Sequence, residues 1–322
     1  MRHPEPASRV VVITGASSGI GHAAALAFAE RGDRVVLAAR GQAGLETVAR
    51  ACERLGASTL VVPTDVSDHR QVERLRDAAI ARFGRIDVWI NNVGVGVVGL
   101  FDQTPIEAHH RVVESNLIGH MNGAHAALGH FRSRSAGTLI NMVSVAGFAS
   151  APYAAAYSAT KFALRGFSDA LRAEVSTLPD VHVCAVYPTF VDTPGMAHGA
   201  NYTGKTLKPP PPLVDPREVA ATFVSLADAP RASVSVGSVA VPARLAHAIA
   251  PDLVGRLTMW LMEAAFARAD ATPVTDGNLH SPSVNTAIDG GYAARRRVPA
   301  AGAALAVGAL ALGWLASSRL RR

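Results

Sequence analysis

At 322 residues and 49% hydrophobic composition, the chain can bury a sizeable core, enough for one large domain plus an appendage. Its net charge of +6 sits at one end: from Arg295 onward there are six arginines and no acid, and the body without them is near neutral. That distribution argues against a nucleic-acid binder, whose basic residues spread over a folded face. The two cysteines, Cys52 and Cys184, have no neighbours resembling a metal-ligand or redox pair, so no metal site is expected and a reducing compartment fits.

The opening MRHPEPASRVVVITG lacks the apolar stretch and cleavage site of a secretory signal, which places the expected catalytic body in the cytoplasm. Short β-branched runs at 9–13, 34–39, 58–63, 86–90, 138–143, 181–187 and 233–239 then alternate with longer helical patterns. Most of these runs are almost purely apolar, as strands covered on both faces must be. The pattern predicts an α/β fold, a doubly wound parallel sheet of Rossmann type with about seven strands and helices on both faces.

The first run leads into Thr14-Gly15-Ala16-Ser17-Ser18-Gly19-Ile20-Gly21 and then a helical pattern closed by Gly32. Glycines there allow a tight turn, and a helix N-terminus offers free N–H groups to a pyrophosphate. The second run ends at Ala39-Arg40, where an NAD-preferring enzyme would carry a carboxylate for the ribose 2′-hydroxyl. A guanidinium fork suits a 2′-phosphate instead, so NADP(H) is favoured over NAD(H), the alternative being a solvated loop arginine. Asp65-Val66 follows the third run, with a helix N-cap as the competing reading for Asp65. Asn91-Asn92-Val93-Gly94 follows the fourth, and Ser144 ends the fifth. Thirteen residues on comes Tyr157-Ser158-Ala159-Thr160-Lys161. Residues four apart share a helix face, so the Tyr157 phenol and the Lys161 ammonium can meet in one cleft. A cationic neighbour and a positive nicotinamide both favour the phenolate and would turn a group of pKa near about 10 into a usable acid and base.

The GxxxGxG spacing at the first run, Asn116 within ESNLIGHMNGAHAAL, and Ser144 with Tyr157 and Lys161 together resemble the short-chain dehydrogenase/reductase family, over roughly 9–241. The resemblance implies that Tyr157 gives a proton to a carbonyl oxygen, that Ser144 hydrogen-bonds the same oxygen, and that Lys161 holds the nicotinamide ribose and tunes the phenol. Asn116 would support a water leading from the lysine toward solvent. It also implies cofactor contacts from Gly15, Ser17, Ser18, Gly19, Ile20, Gly21 and Arg40, and from Asp65 and Val66 at the adenine. Asn92, Gly94, Tyr157, Lys161, Pro188, Val191 and Thr193 complete the implied set. Two departures stand out: Val93 replaces the family's alanine, and Pro188-Thr189-Phe190-Val191-Asp192-Thr193 carries Thr189 where PGxxxT has glycine. The implied activity is hydride transfer between a nicotinamide and a carbonyl or alcohol carbon, in a homo-oligomer paired through the Asn116 and Tyr157 helices.

Residues 189–214, rich in Gly and Pro, are expected to form no regular helix or strand and to serve as a ligand-covering loop or a disordered surface loop. The stretches 94–101, 148–153 and 190–202 should ring the reacting carbon; mostly apolar and without arginine, they point to a hydrophobic small-molecule ketone, aldehyde or alcohol. A helix over 246–269 covers that pocket, or packs on the core or a partner. The domain reading is 1–242 catalytic, 243–294 a helical extension with a polar segment, and 295–322 a basic-flanked tail. Within the tail, 298–316 are nineteen uncharged residues, just long enough for a bilayer core, so a C-terminal membrane anchor is expected, against a soluble helix or frayed tail. Two further functions stay open: a nucleotide-binding scaffold or sensor without turnover, and an isomerase, epimerase or dehydratase on the same fold. Binding alone needs no proton donor, which counts against the scaffold.

Overall fold

The computed structural model describes residues 8–293. Among the described residues nine strands follow in chain order: β1 (Val10–Thr14), β2 (Arg34–Ala39), β3 (Thr59–Pro63), β4 (Val88–Asn91), β5 (Val97–Val98), β6 (Gly137–Met142), β7 (Val181–Pro188), β8 (Ala200–Asn201) and β9 (Ser233–Val236). The helices are α1 (Gly19–Ala29), α2 (Gln42–Arg54), α3 (His69–Phe83), α4 (Ile106–Val113), α5 (Gly119–Arg134), α6 (Ala155–Glu174), α7 (Gly195–His198), α8 (Pro216–Asp228), α9 (Ala240–Ile249) and α10 (Pro251–Ala267).

Seven strands form one sheet in the order β3-β2-β1-β4-β6-β7-β9, every neighbouring pair parallel. The expected doubly wound sheet is therefore present. Side chains alternate across it: Val11, Ile13, Val35 and Leu37 pack with α1, α2 and α8, while Val10, Val12, Val36 and Ala38 pack with α3 and α5. Because both faces are covered, these strands carry no polar face to betray their period. The sheet grows from β1 toward β3 on one side and from β4 toward β9 on the other. That reversal opens a crevice beyond the carboxyl ends of β1 and β4, the place where such sheets take ligands.

Two local expectations change. Residues 189–214 do contain regular structure: α7, and β8 paired in parallel with β5. Their backbone partners, such as Ala200 N–H to the Gly96 carbonyl at 2.9 Å, lie a hundred residues away, out of reach of local composition. The helix expected over 246–269 is two helices, α9 and α10, split at Ala250 (φ −141°, ψ 65°). Pro251 causes the break, since the residue before a proline is pushed out of the helical region. The tail 295–322, with the candidate anchor 298–316, lies outside the described residues. Among the described residues no helix is long and apolar enough to cross a membrane.

Candidate active site

The crevice floor begins at the turn between β1 and α1. Gly15 (φ +68°) and Gly19 (φ +54°) take a conformation that side-chain-bearing residues avoid. A Cβ on Gly21 would stand 2.8 Å from the Gly15 carbonyl carbon, so only glycine lets α1 start this close to the turn. No side chain caps α1 at Ser18, and no acid stands in its first turn, where Ile20 lies. The residues of this turn therefore fit a pyrophosphate: a positive helix end with no carboxylate of its own to compete. Asn92 braces the turn, its side-chain amide donating to the Thr14 carbonyl at 3.1 Å and its backbone N–H to the Thr14 hydroxyl at 3.0 Å. Asn91 instead belongs to the interior, accepting from Trp89 and donating to Asn141, which donates on to Ser168.

Beyond β3, Asp65 is bound by Ser67 (2.7 Å) and Arg111 (2.6 Å). Burial pushes its carboxyl upward, but these partners prevail and hold it below the usual carboxylate range. The N-cap of α3 is Asp68, so the capping alternative for Asp65 does not apply. Val66 is buried beside Gly119, and Val93 packs at the edge of the same core.

Ser144, Tyr157 and Lys161 converge on the other side. Ser144 follows β6 at φ 148°, strained for a serine, and its hydroxyl accepts from Ala146 N–H at 3.1 Å. Tyr157 and Lys161 sit one turn apart on α6, the ammonium 5.5 Å from the phenol ring centre and 3.9 Å from where a Cβ on Gly94 would be. The Lys161 ammonium donates to the Met142 carbonyl at 3.1 Å. Burial brings Lys161 down to about 7. The Tyr157 phenol is pushed up by burial, which outweighs the hydrogen bond with Ser144. In the chain by itself burial therefore sets the direction at the phenol, whereas the expected acidification draws on the cofactor's charge as well. The lysine that was to acidify it is itself so dehydrated that its charge is weakened.

Asn116 lies in a π-helical turn, Glu114–Ile118, a distortion common at functional sites. Its amide grips Val95 from both sides, accepting from the backbone N–H at 2.8 Å and donating to the carbonyl at 2.9 Å, and so fixes the loop after Gly94. His120, fully buried near Lys161, has an Nε2 with no hydrogen-bond partner; burial, then the lysine's charge, lowers it to about 3. Sequence reading missed it, because a histidine in a small-residue helix looks like any surface position.

In the loop after β7, Thr193 faces the glycine turn, its Cβ 3.3 Å from where a Cβ on Gly19 would be. Thr189 is buried after Pro188, its Cβ 3.3 Å from where a Cβ on Gly237 (φ +102°) would be, so glycine at 237 makes the room that threonine needs. Val191 packs on the core beneath α1. On the substrate side, Tyr153 meets Phe266 of α10 edge-on, and Trp260 and Leu261 of that helix stay exposed. Phe148 lies under the guanidinium groups of Arg165 (4.7 Å) and Arg244 (4.4 Å), so two arginines that the apolar stretches lack approach their edge.

The largest surprise is the polar segment after α10. Arg40 donates to the carbonyls of Leu279 (2.8 Å), Asn278 and Ser281 (3.2 Å). Leu279 is fully buried in the cluster of Val95, Val97, Val112 and Ala200. Further on, the Thr286 carbonyl meets His22 at 2.7 Å and the Ala287 carbonyl accepts from Gly19 N–H at 2.9 Å. Finally Gly290 N–H donates to the Asp192 carbonyl, and the Asp192 carboxylate accepts from the backbones of Tyr292 and Ala293. The segment touches in turn the carboxyl ends of β2, β1 and β7, and nothing in its turn-rich composition foretold that path.

Comparison with known proteins agrees with this geometry. Residues 9–202 match the model of the short chain dehydrogenase family. The chain is 33% identical over 257 residues to an uncharacterized oxidoreductase, YxnA, of Bacillus subtilis (strain 168), covering 79% of this chain and 72% of that protein. It is 36% identical to Dehydrogenase/reductase SDR family member 7 of Mus musculus, spanning only 54% of that relative's length. Among solved structures it resembles an alcohol dehydrogenase from Thermococcus sibiricus complexed with 5-hydroxy-NADP (30% identity, TM-score 0.63, 72% of this chain and 97% of that one). A short-chain dehydrogenase from Streptomyces avermitilis is also similar (28% identity, TM-score 0.68, 80% and 98% covered). With seven parallel strands, a glycine turn at the switch point and Ser144, Tyr157 and Lys161 gathered beside it, this chain belongs to the short-chain dehydrogenase family of oxidoreductases.

Proposed function

We propose that the protein is an NADP(H)-dependent reductase or dehydrogenase acting on a hydrophobic carbonyl or alcohol, with Tyr157 as general acid and base. The observation that carries this reading is the meeting of Tyr157, Ser144 and Lys161 next to Gly94, at the edge of a crevice with an uncapped glycine turn. When bound, the nicotinamide supplies or accepts the hydride at the substrate carbon. In reduction, Tyr157 gives its phenolic proton to the carbonyl oxygen as that oxygen takes up the electrons of the broken π bond. Burial keeps the phenol protonated, which is the state a proton donor needs. Ser144 donates a hydrogen bond to the same oxygen and fixes its position. Lys161 would hold the nicotinamide ribose and return a proton to Tyr157.

Preference for NADP(H) over NAD(H) is supported by Arg40, which follows β2 at the position where an NAD-preferring enzyme would carry a carboxylate. The apolar stretches 94–101, 148–153 and 190–202 support a substrate without a carboxylate or phosphate. A homo-oligomer, a cytoplasmic body and a membrane tether at 298–316 complete the reading. Following NADPH absorbance with a library of apolar and anionic carbonyls tests the chemistry, and a clear preference for the anionic members refutes the substrate class. Fractionation of the full chain against one ending at Tyr292 tests the tether, which full solubility of the longer form would remove.

A further inference from the structure

Residues 278–293 bind the donors that a dinucleotide would need. Backbone carbonyls carry partial negative charge, and three of them, at 278, 279 and 281, lie on the Arg40 guanidinium, while a fourth, at 287, lies on Gly19 N–H. These are the places where phosphate oxygens are drawn in a crevice of this kind. The two ends of the segment are tied to the body. At one end Leu279 is fully buried and Asn278 N–H donates to the His198 carbonyl at 2.8 Å. At the other, the Asp192 carboxylate takes two backbone N–H groups, and Arg217 grips Asp289 with both nitrogens at 2.7 and 2.9 Å. Between them the chain is largely exposed, with Val284 at 96% exposure. A span tied at both ends and exposed over much of the stretch between, where the Thr286 and Ala287 carbonyls and the Ser283 hydroxyl make its contacts, can open without unfolding the body.

We infer that residues 280–288 form a gate across the crevice, which must lift from Gly19 and draw the Ser281 carbonyl off Arg40 before a dinucleotide enters or leaves. The inference rests on the reading that this crevice binds NADP(H). Its consequence is kinetic: opening of the span limits both association and release.

The test locks the span reversibly. A Cβ on Gly41 would lie 3.1 Å from the Pro282 Cβ, within reach of the about 3.8 Å usual across a disulfide. Gly41 has φ −93°, which cysteine accepts. Cys52 and Cys184 are buried and pushed up by that burial, Cys52 to about 12, so an oxidant acts on the new pair. In the full chain carrying Gly41→Cys and Pro282→Cys, stopped-flow fluorescence with NADPH is compared before and after reduction. The expected result is that oxidation slows association and release together by about tenfold or more, with reduction restoring both. Affinity should weaken as well, because the locked span keeps its carbonyls on donors that the dinucleotide needs. Equal rates in the two redox states overturn the gate, as does release that is unchanged while only affinity shifts. Thiol titration showing that the pair never closes overturns it as well, since 41 and 282 would not then be adjacent. Binding of neither NADPH nor NADH by the reduced and unaltered chains refutes the functional reading and the gate with it, whereas binding without a redox difference refutes the gate alone.

Discussion

On the catalytic side of the crevice, Ser144, Tyr157 and Lys161 all come from residues 144–161, whereas on the nucleotide side Arg40 meets a carbonyl 239 residues downstream. The catalytic side is assembled by one strand end and one helix, and its energetics are set by burial: a lysine brought down to about 7 and a phenol pushed up. The nucleotide side is assembled by distant chain, and backbone carbonyls engage its donors. A local motif therefore identifies both sets of residues, but only on the first side does it also identify their partners.

The largest expected effect separates the two sides outright. Tyr157→Phe should lower turnover by about 10²–10⁴-fold while leaving NADPH affinity nearly unchanged. Joint loss of turnover and binding, read by steady-state kinetics and fluorescence titration, would erase the division drawn here.

Next comes the burial of Lys161. Its folded pKa of about 7 lies below that of an exposed lysine, so the folded chain binds fewer protons than the unfolded one between about pH 7 and 10.5. The resulting destabilisation is complete below about pH 7 and fades as pH rises toward 10.5. Lys161→Met should therefore stabilise the protein by about a few kcal/mol more at pH 6 than at pH 10 in urea unfolding. A pH-independent difference would show that the ammonium is not buried as described.

The nucleotide side is sharpened by Arg40→Ser. Loss of a charged fork on a phosphate should weaken NADPH by about 10–100-fold and NADH much less. Equal weakening of the two, measured by titration, would make Arg40 an anchor for residues 278–281 alone. The smallest effect belongs to Arg217 and Asp289, an exposed pair about half accessible on each side. A double-mutant cycle with alanine at both positions should give a coupling of no more than about 1 kcal/mol in stability, since solvent screens such pairs. A larger value would mean that the span is tied down more tightly than its exposure suggests.

Much of the architecture was legible. The seven sheet strands were found with boundaries shifted by no more than a few residues, because doubly covered strands must be apolar throughout. The glycine turn was legible because its backbone conformation admits few other residues. What escaped reading was carried by backbone groups or by distance. The β5 and β8 pairing joins Val97 to Ala200 through amides that side-chain identity does not encode. The carbonyls on Arg40 come from asparagine, leucine and serine, and other residues would present the same oxygen. Asn116 was recognised, yet its grip on Val95 was not, since one asparagine can serve a water or a loop equally well. The pocket stretches themselves lack arginine, but Arg165 and Arg244 arrive at Phe148 from α6 and α9.

The threading of residues 278–293 carries a consequence for how the protein is born. His22 and the Thr286 carbonyl that it meets are 264 residues apart, so a ribosome delivers the glycine turn well before the stretch that crosses it. A nascent chain with a gate of this kind presents an unguarded crevice, and a nucleotide present during translation meets no barrier. Protein harvested from cells should then retain what it first captured, whereas chain refolded from denaturant without nucleotide should close over nothing and load slowly afterwards.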